Sequence, residues 1–191
     1  MPNLETRKNL LRGYISESVA ISRYLIYSDI AEKEKLIYVS KYFKEVAENE
    51  KKHAEIYANF IKELEVEPTD VEIKAPIKFG DSAENLRIAV ESERLEAEEI
   101  YPKMAEVAEK EGFKQIAERI RTLAEVEKQH FTKFSKLLEL LETGKMFKRD
   151  EEVEWMCLVC GYVHKGREPP KVCPNCGAEY YYFVSKDILA L

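Results

Sequence analysis

Two short segments place a carboxylate and an imidazole three residues apart, Glu50-x-x-His53 and Glu127-x-x-His130. On a helix such an i,i+3 pair projects from one face toward a common point. Glu17 and Glu93 join them, because all four glutamates stand where helical periodicity demands an apolar residue. Glu17 sits in the stripe Leu10, Gly13, Tyr14, Ala20, Ile21, Tyr24, and Glu93 among Leu86, Ala89, Val90, Ala97 and Ile100. Glu50 falls among Phe43, Val46, Ala47, Ala54 and Tyr57, and Glu127 among Ile120, Leu123, Ala124, Phe131 and Phe134. An unpaired buried carboxylate costs several kcal/mol or takes up a proton, and no basic residue shares these stripes. Divalent cations answer the need. One Glu from each of two helices, with Glu-x-x-His from each of two others, forms a ligand set for two metal ions in a bundle core. Ligand type alone does not select among iron, manganese and zinc.

Glu96 stands at i+3 from Glu93 on the same face, and reads either as a seventh ligand or as a solvated member of the acidic run Glu91 to Glu99. Tyr24, at i+7 from Glu17, and Tyr101, at i+8 from Glu93, are candidates to donate hydrogen bonds to the ligand carboxylates, or are plain core aromatics.

All four cysteines lie in two Cys-x-x-Cys-Gly knuckles, Cys157/Cys160 and Cys173/Cys176, separated by twelve residues. Four thiolates on two tight turns make a tetrahedral site, which holds structural zinc in some proteins and a redox-active iron in others. The aromatic residues Trp155, Tyr162, Tyr180, Tyr181, Tyr182 and Phe183 are expected to form a small core over it, and His164 to be a surface residue between the knuckles.

The elements that must position these groups follow from the rest of the chain. Residues up to about 145 are rich in Ala, Glu, Lys, Leu and Ile, whereas the tail from Asp150 holds three of the seven glycines, three of the seven prolines and every cysteine. Two domains are expected, 1–145 and 150–191. Breaks near Lys33 to Lys35, at Val66 to Phe79 and around Gly112 imply four long helices. The second and third are joined by about 14 irregular residues ending at the capping-box-like Asp81-Ser82-Ala83-Glu84. Four helices with one long middle connection describe a bundle with a crossover.

The bundle repeats itself. Ala31-Glu32-Lys33-Glu34 recurs as Ala108-Glu109-Lys110-Glu111, and the segment from Ala47 to His53 recurs from Ala124 to His130, both at an offset of 77. Asn9-Leu10 and Glu17 recur as Asn85-Leu86 and Glu93 at an offset of 76. A kink or bulge near Pro102 is expected to absorb the extra residue.

With 36 acids, 30 bases and a net charge of −6 in 191 residues, the chain is a poor general binder of nucleic acid or anionic lipid. It has no stretch of membrane-spanning length and no signal-like opening, so a cytoplasmic location is expected, and there disulfides between the cysteines are improbable.

In the order Glu17, Glu50-x-x-His53, Glu93-x-x-Glu96 before Ile100-Tyr101-Pro102, Glu127-x-x-His130, Cys157-x-x-Cys160 and Cys173-x-x-Cys176, the chain resembles the rubrerythrin family over essentially its whole length. The resemblance implies a mainly α protein, a ferritin-like four-helix bundle followed by a small rubredoxin-like β/loop domain. It implies two Fe in the bundle and one Fe in the four-cysteine site, with Zn possible there. The implied activity is reduction of hydrogen peroxide to water in an NADH-linked chain, with electrons entering through the tail from an electron-donor protein such as rubredoxin or its reductase. By the same resemblance Glu50 and Glu127 bridge the irons, Glu17 binds one, Glu93 with His130 binds the other, and Glu96 and His53 alternate on the first iron as it is oxidised and reduced. A head-to-tail homodimer is implied too. The alternative is an oxygen-activating or ferroxidase-type di-iron protein with an electron-transfer tail.

Overall fold

The computed structural model describes residues 4–191, so residues 1–3 of the expected first domain lie outside the described residues. The bundle consists of α1 (Glu5–Lys33), α2 (Ile37–Glu63), a third helix in two α-helical pieces, α3 (Ser82–Leu95) and α4 (Tyr101–Lys110), and α5 (Lys114–Glu142). α1 packs along α2, and α3 and α4 pack along α5. The two helix pairs end their first members alike: Leu36 N donates to Ala31 O, and Phe113 N to Ala108 O. Between them Lys35 and Gly112 take φ of 62° and 90°, the left-handed turn that stops the helix. The repeat therefore extends to the turns, with a lysine in one and a glycine in the other.

The connection between α2 and α3 covers 64–81, longer than the 14 residues expected, because α2 stops at Glu63. Asp81 caps α3, its side chain accepting from Glu84 N at 2.8 Å. The Glu84 carboxylate is taken by Lys78 instead of returning to the cap. Asp81→Ala should cost about 1 kcal/mol in thermal unfolding, while Glu84→Ala, which leaves the cap bond in place, should cost less.

Between α3 and α4 the helix widens to a π-turn over Glu96–Ile100, with Pro102 following in the first turn of α4. This is the expected bulge, and it absorbs the one-residue slip of the repeat. It also corrects the stripe around Glu93: Ile100 is turned outward, 43 % exposed, and Tyr101 takes the buried position at 1 %. Tyr14, expected on the inward stripe of α1, is likewise exposed.

The interior of the bundle is two apolar clusters rather than one. One gathers Tyr24, Tyr27, Phe43, Phe134 and Leu137, and the other Leu10, Tyr57, Tyr101, Ile120 and Leu123. Gly13 lets the second form, since a Cβ there would come within 2.5 Å of the Tyr57 ring. The glutamates and histidines lie on the helix segments between the clusters.

The tail forms a three-stranded antiparallel sheet of order β2-β1-β3, from β1 (Val153–Cys157), β2 (Val163–Gly166) and β3 (Phe183–Ser185), and ends in the short α6 (Lys186–Leu189). Its own core is Trp155, Phe183, Cys157 and Cys173. Tyr180, Tyr181 and Tyr182, expected in that core, lie outside it; Tyr180 packs edge-on against Phe147, and Lys35 lies over the Tyr181 ring. Val184 and Ile188 join the first bundle cluster beside Leu36, Leu140 and Met146, so the tail seats on that end of the bundle. His164 is half-buried on β2 opposite Trp155. Among the described residues no helix is long and apolar enough to cross a membrane.

Candidate metal centres

Periodicity turns Glu17 of α1, Glu50 and His53 of α2, Glu93 of α3, and Glu127 and His130 of α5 into one layer of the bundle, each buried to 5 % exposure or less. They form two overlapping groups, Glu17, Glu50, His53 and Glu127 in one, and Glu50, Glu93, Glu127 and His130 in the other. Within each, the ligand atoms lie within 4.8 Å of one another. Glu50 and Glu127 belong to both groups. His53 Nδ1 is 2.7 Å from Glu50 Oε2, 3.0 Å from Glu127 Oε1 and 3.8 Å from Glu17 Oε1. His130 Nδ1 is 2.9 Å from Glu127 Oε2, 3.3 Å from Glu93 Oε2 and 3.4 Å from Glu50 Oε1.

Charge is out of balance in this layer. Burial, with the neighbouring Glu50 and Glu127 charges, pushes the Glu17 carboxyl well above its ordinary range, and burial with the Glu50 charge raises Glu93 to about 7. For Glu50 burial also acts upward, but the close His130 and His53 imidazoles outweigh it and bring the group to about 2. Burial works against a charged His53, yet the close Glu127 and Glu50 carboxylates raise it to about 10. Against burial, the carboxylates favour the charged form of His130 in the same way. Glu17 Oε2, Glu93 Oε2, both oxygens of Glu50 and of Glu127, and Nδ1 of each histidine are buried without a hydrogen-bond partner among the described residues. Oxygen and imidazole donors converging unsatisfied on two points are a set that divalent iron, manganese or zinc can take.

The tyrosines cross between the halves. Tyr24 of the first repeat donates to Glu93 Oε1 of the second, and Tyr101 of the second donates to Glu17 Oε1 of the first. Glu96, at the start of the π-turn, is buried but belongs to neither group; its Oε1 accepts from Ser16 Oγ at 2.9 Å. The side facing Glu17 is taken by His53 instead. Three neighbours carry no signal in the sequence. Ser16 holds Glu96. Asn49 Nδ2 lies 3.3 Å from Nε2 of His130, and buried Arg23 reaches Tyr24. Arg23 is at i+6 from Glu17, off the stripe, which itself holds no basic residue, and the length of its side chain carries it to the Tyr24 hydroxyl.

In the tail, Cys157 Sγ is 3.7 Å from Cys176 Sγ and Cys160 Sγ 3.7 Å from Cys173 Sγ. That is far beyond a disulfide bond of about 2.05 Å. It matches the edge, about 3.8 Å, of a tetrahedron whose centre lies about 2.3 Å from each sulfur. Gly161 and Gly177 take φ of 77° and 78° and donate to the Cys157 and Cys173 carbonyls, closing the two knuckles. Cys157 and Cys173 are buried, while Cys160 and Cys176 are exposed.

Fold and donors together define a ferritin-like bundle with a di-iron carboxylate and imidazole site, joined to a four-cysteine rubredoxin-like module. The family model described as Rubrerythrin matches residues 8–138, and the one described as Rubrerythrin, rubredoxin-like domain, matches 155–184. Rubrerythrin of Porphyromonas gingivalis is 41% identical over 179 residues, 94% of this chain and 88% of that protein. Rubrerythrin-1 of Clostridium acetobutylicum is 39% identical over 181 residues, 94% of this chain and 93% of that protein. The solved mixed-valence state of nigerythrin superposes with a TM-score of 0.63 at 20% identity, covering 97% of this chain and 90% of that one. The chain belongs to the rubrerythrin family.

Proposed function

We propose that the protein is a peroxidase that reduces hydrogen peroxide to water, drawing electrons through the Cys157, Cys160, Cys173 and Cys176 site. The observation that carries this reading is Glu96, an extra carboxylate buried beside the dimetal layer on a π-turn and held off it by Ser16, while His53 occupies the facing side. The reaction is H2O2 + 2 e− + 2 H+ → 2 H2O. Iron in the bundle supplies two electrons and Lewis acidity to the O–O bond.

The chain's own residues do the rest. Glu50 and Glu127, each with both oxygens turned into the layer, would be shared between the two ions, and Glu17, and Glu93 with His130, would hold the two ends. Glu96 and His53 would alternate as holders of the ion on the Glu17 side. Burial, with the Glu93 and Glu127 charges, raises the Glu96 carboxyl well above its ordinary value, which favours its protonated form beside the layer. Tyr24 and Tyr101 fix the terminal carboxylates by donating to one oxygen of each.

The working form is a head-to-tail homodimer fed by rubredoxin or its reductase at the end of an NADH-linked chain, in the cytoplasm, with working units 1–145 and 150–191. Its support is the seat of the tail. The tail packs beside Leu140, ten residues beyond His130 on α5, which is about 15 Å at the helical rise. A partner's tail has no such constraint.

The test is to load the chain with iron anaerobically, reduce it and mix it with stoichiometric peroxide or dioxygen while following the colour of the thiolate-bound iron. Fast colour return with peroxide and slow return with dioxygen is expected; an equal response to both would point to an oxygen-activating protein. Glu96→Ala should slow the peroxide response at least tenfold, an effect of the size a positioned proton donor gives, with iron content retained. Unchanged turnover would remove Glu96 from the reaction.

A further inference from the structure

Arg23 is 5 % exposed, a costly place for a guanidinium whose donors lack partners. Its Nη2 donates to the Tyr24 hydroxyl at 3.2 Å, its Nη1 reaches the Pro76 carbonyl at 3.5 Å, and its carbon lies 4.9 Å from the centre of the Tyr24 ring. A guanidinium carries five N–H donors and no acceptor. The Tyr24 hydroxyl therefore receives a hydrogen bond from Arg23 and has to direct its own proton elsewhere, and Glu93 Oε1 is the acceptor in contact. With Oε1 so engaged, Glu93 presents Oε2 alone to the dimetal layer, and Oε2 is the oxygen left without a hydrogen-bond partner there.

The other half of the bundle has the same tyrosine without the arginine. At the repeat offset of 77, Tyr24 corresponds to Tyr101, but Arg23 corresponds to Ile100, which faces outward. The aromatic neighbour of Tyr101 is Tyr57, its ring centre 6.1 Å away, and a phenol hydroxyl both donates and accepts. Among the described residues no guanidinium is seen donating to the Tyr101 hydroxyl. The two metal positions each have one terminal glutamate and one histidine with Glu50 and Glu127 shared, and they differ in what stands outside: Arg23 behind Tyr24 and Asn49 at His130 on one side, Glu96 near Glu17 on the other.

We infer that Arg23 is a positioning residue that locks Tyr24 as a donor to Glu93, and so makes the Glu93 and His130 position the fixed half of the metal site. Loss of such an outer partner loosens a metal by about tenfold or more. The inference rests on the metal-site reading and is independent of which oxidant the protein reduces.

The experiment titrates full-length, bundle-stripped protein with Mn2+, an ion that prefers oxygen and imidazole to thiolate, and resolves the bound ions by electron paramagnetic resonance. In Arg23→Leu one of the two dissociation constants should rise about tenfold while the other stays within about twofold, and Arg23→Lys, which keeps a donor without an acceptor, should restore it. In a Tyr24→Phe background the same Arg23→Leu change should have no further effect, because the coupling runs through the hydroxyl. A shift shared by both ions, or one that persists in Tyr24→Phe, would mean that Arg23 acts directly through its charge or braces the 64–81 connection through Pro76, and would overturn the inference. Should Arg23→Leu fail to fold, Arg23→Gln replaces it in the same cycle. Wild-type protein that binds no Mn2+ in the bundle would instead overturn the metal-site reading on which the inference stands.

Discussion

Stripped of metal, the protein should melt at a temperature that falls as pH rises from about 6 to 10, and each bound ion should raise it by about 10 °C. The direction follows from the shifted groups. His53 is raised from 6.5 to about 10, so its contribution to stability is complete below 6.5 and is lost as pH rises through 10. Glu93 is raised from 4.5 to about 7; folding favours its protonated form, and that contribution disappears as pH climbs through 7. Glu50, lowered from 4.5 to about 2, acts oppositely, stabilising above 4.5 and losing that effect as pH drops through 2. The metal-free optimum therefore lies near pH 4.5, where the Glu50 contribution is gained and the Glu93 and His53 contributions are not yet lost. Cations replace the protons, so their stabilisation grows with pH. An ion at a thousand times its dissociation constant contributes about 4 kcal/mol, and each kcal/mol moves the melting point of a chain this size by about 2 to 4 °C. Differential scanning calorimetry at several pH values, with and without Mn2+, checks both halves; a metal-free melting point that rises toward pH 10 would refute the charge assignment.

Cys157→Ser and Glu127→Ala should each abolish turnover fed through the tail, and a refolded equimolar mixture of the two should regain it. The first variant loses the tetrahedral thiolate set and keeps the bundle, and the second does the reverse. In a head-to-tail dimer half of the mixed assemblies pair unlike chains, each with one intact tail facing one intact bundle, so recovery should reach about a quarter of the wild-type rate. A mixture as inactive as its components would place the whole electron route within one chain. Steady-state peroxide consumption with a reductase and NADH measures it.

The four glutamate stripes and the two histidines are legible in the sequence because a 3.6-residue period marks a carboxylate on an apolar face wherever it occurs. The slip between the halves is legible as well, since offsets of 76 and 77 cannot both hold in regular helices, and the π-turn at Glu96–Ile100 is where they meet. Ile100 is misplaced by periodicity for the same reason: a period counted through a widened turn points one residue wrong. Arg23, Asn49 and Ser16 are not legible, because each matters through a contact outside its own stripe. Asn49 meets His130 across 81 residues and Ser16 meets Glu96 across 80. Local spacing marks Tyr24 and Tyr101 as candidates, but that each serves the opposite repeat is a property of the packed bundle.

The widened turn sets the third helix apart from its repeat mate in a way that can be put as rotation. Each residue of a regular helix turns the chain by about 100°, so one additional residue would swing everything after it off the core unless a widened turn takes up the rotation. Here Glu96 keeps the phase of Glu93, in the place that buried Ala20 takes beside Glu17, and the extra residue falls between Glu96 and Tyr101, whose role matches that of Tyr24. Two identical hairpins would need an alanine-to-glutamate change at that place to acquire a seventh acidic or imidazole group at the centre, and a one-residue insertion after it leaves every turn and apolar contact beyond in phase.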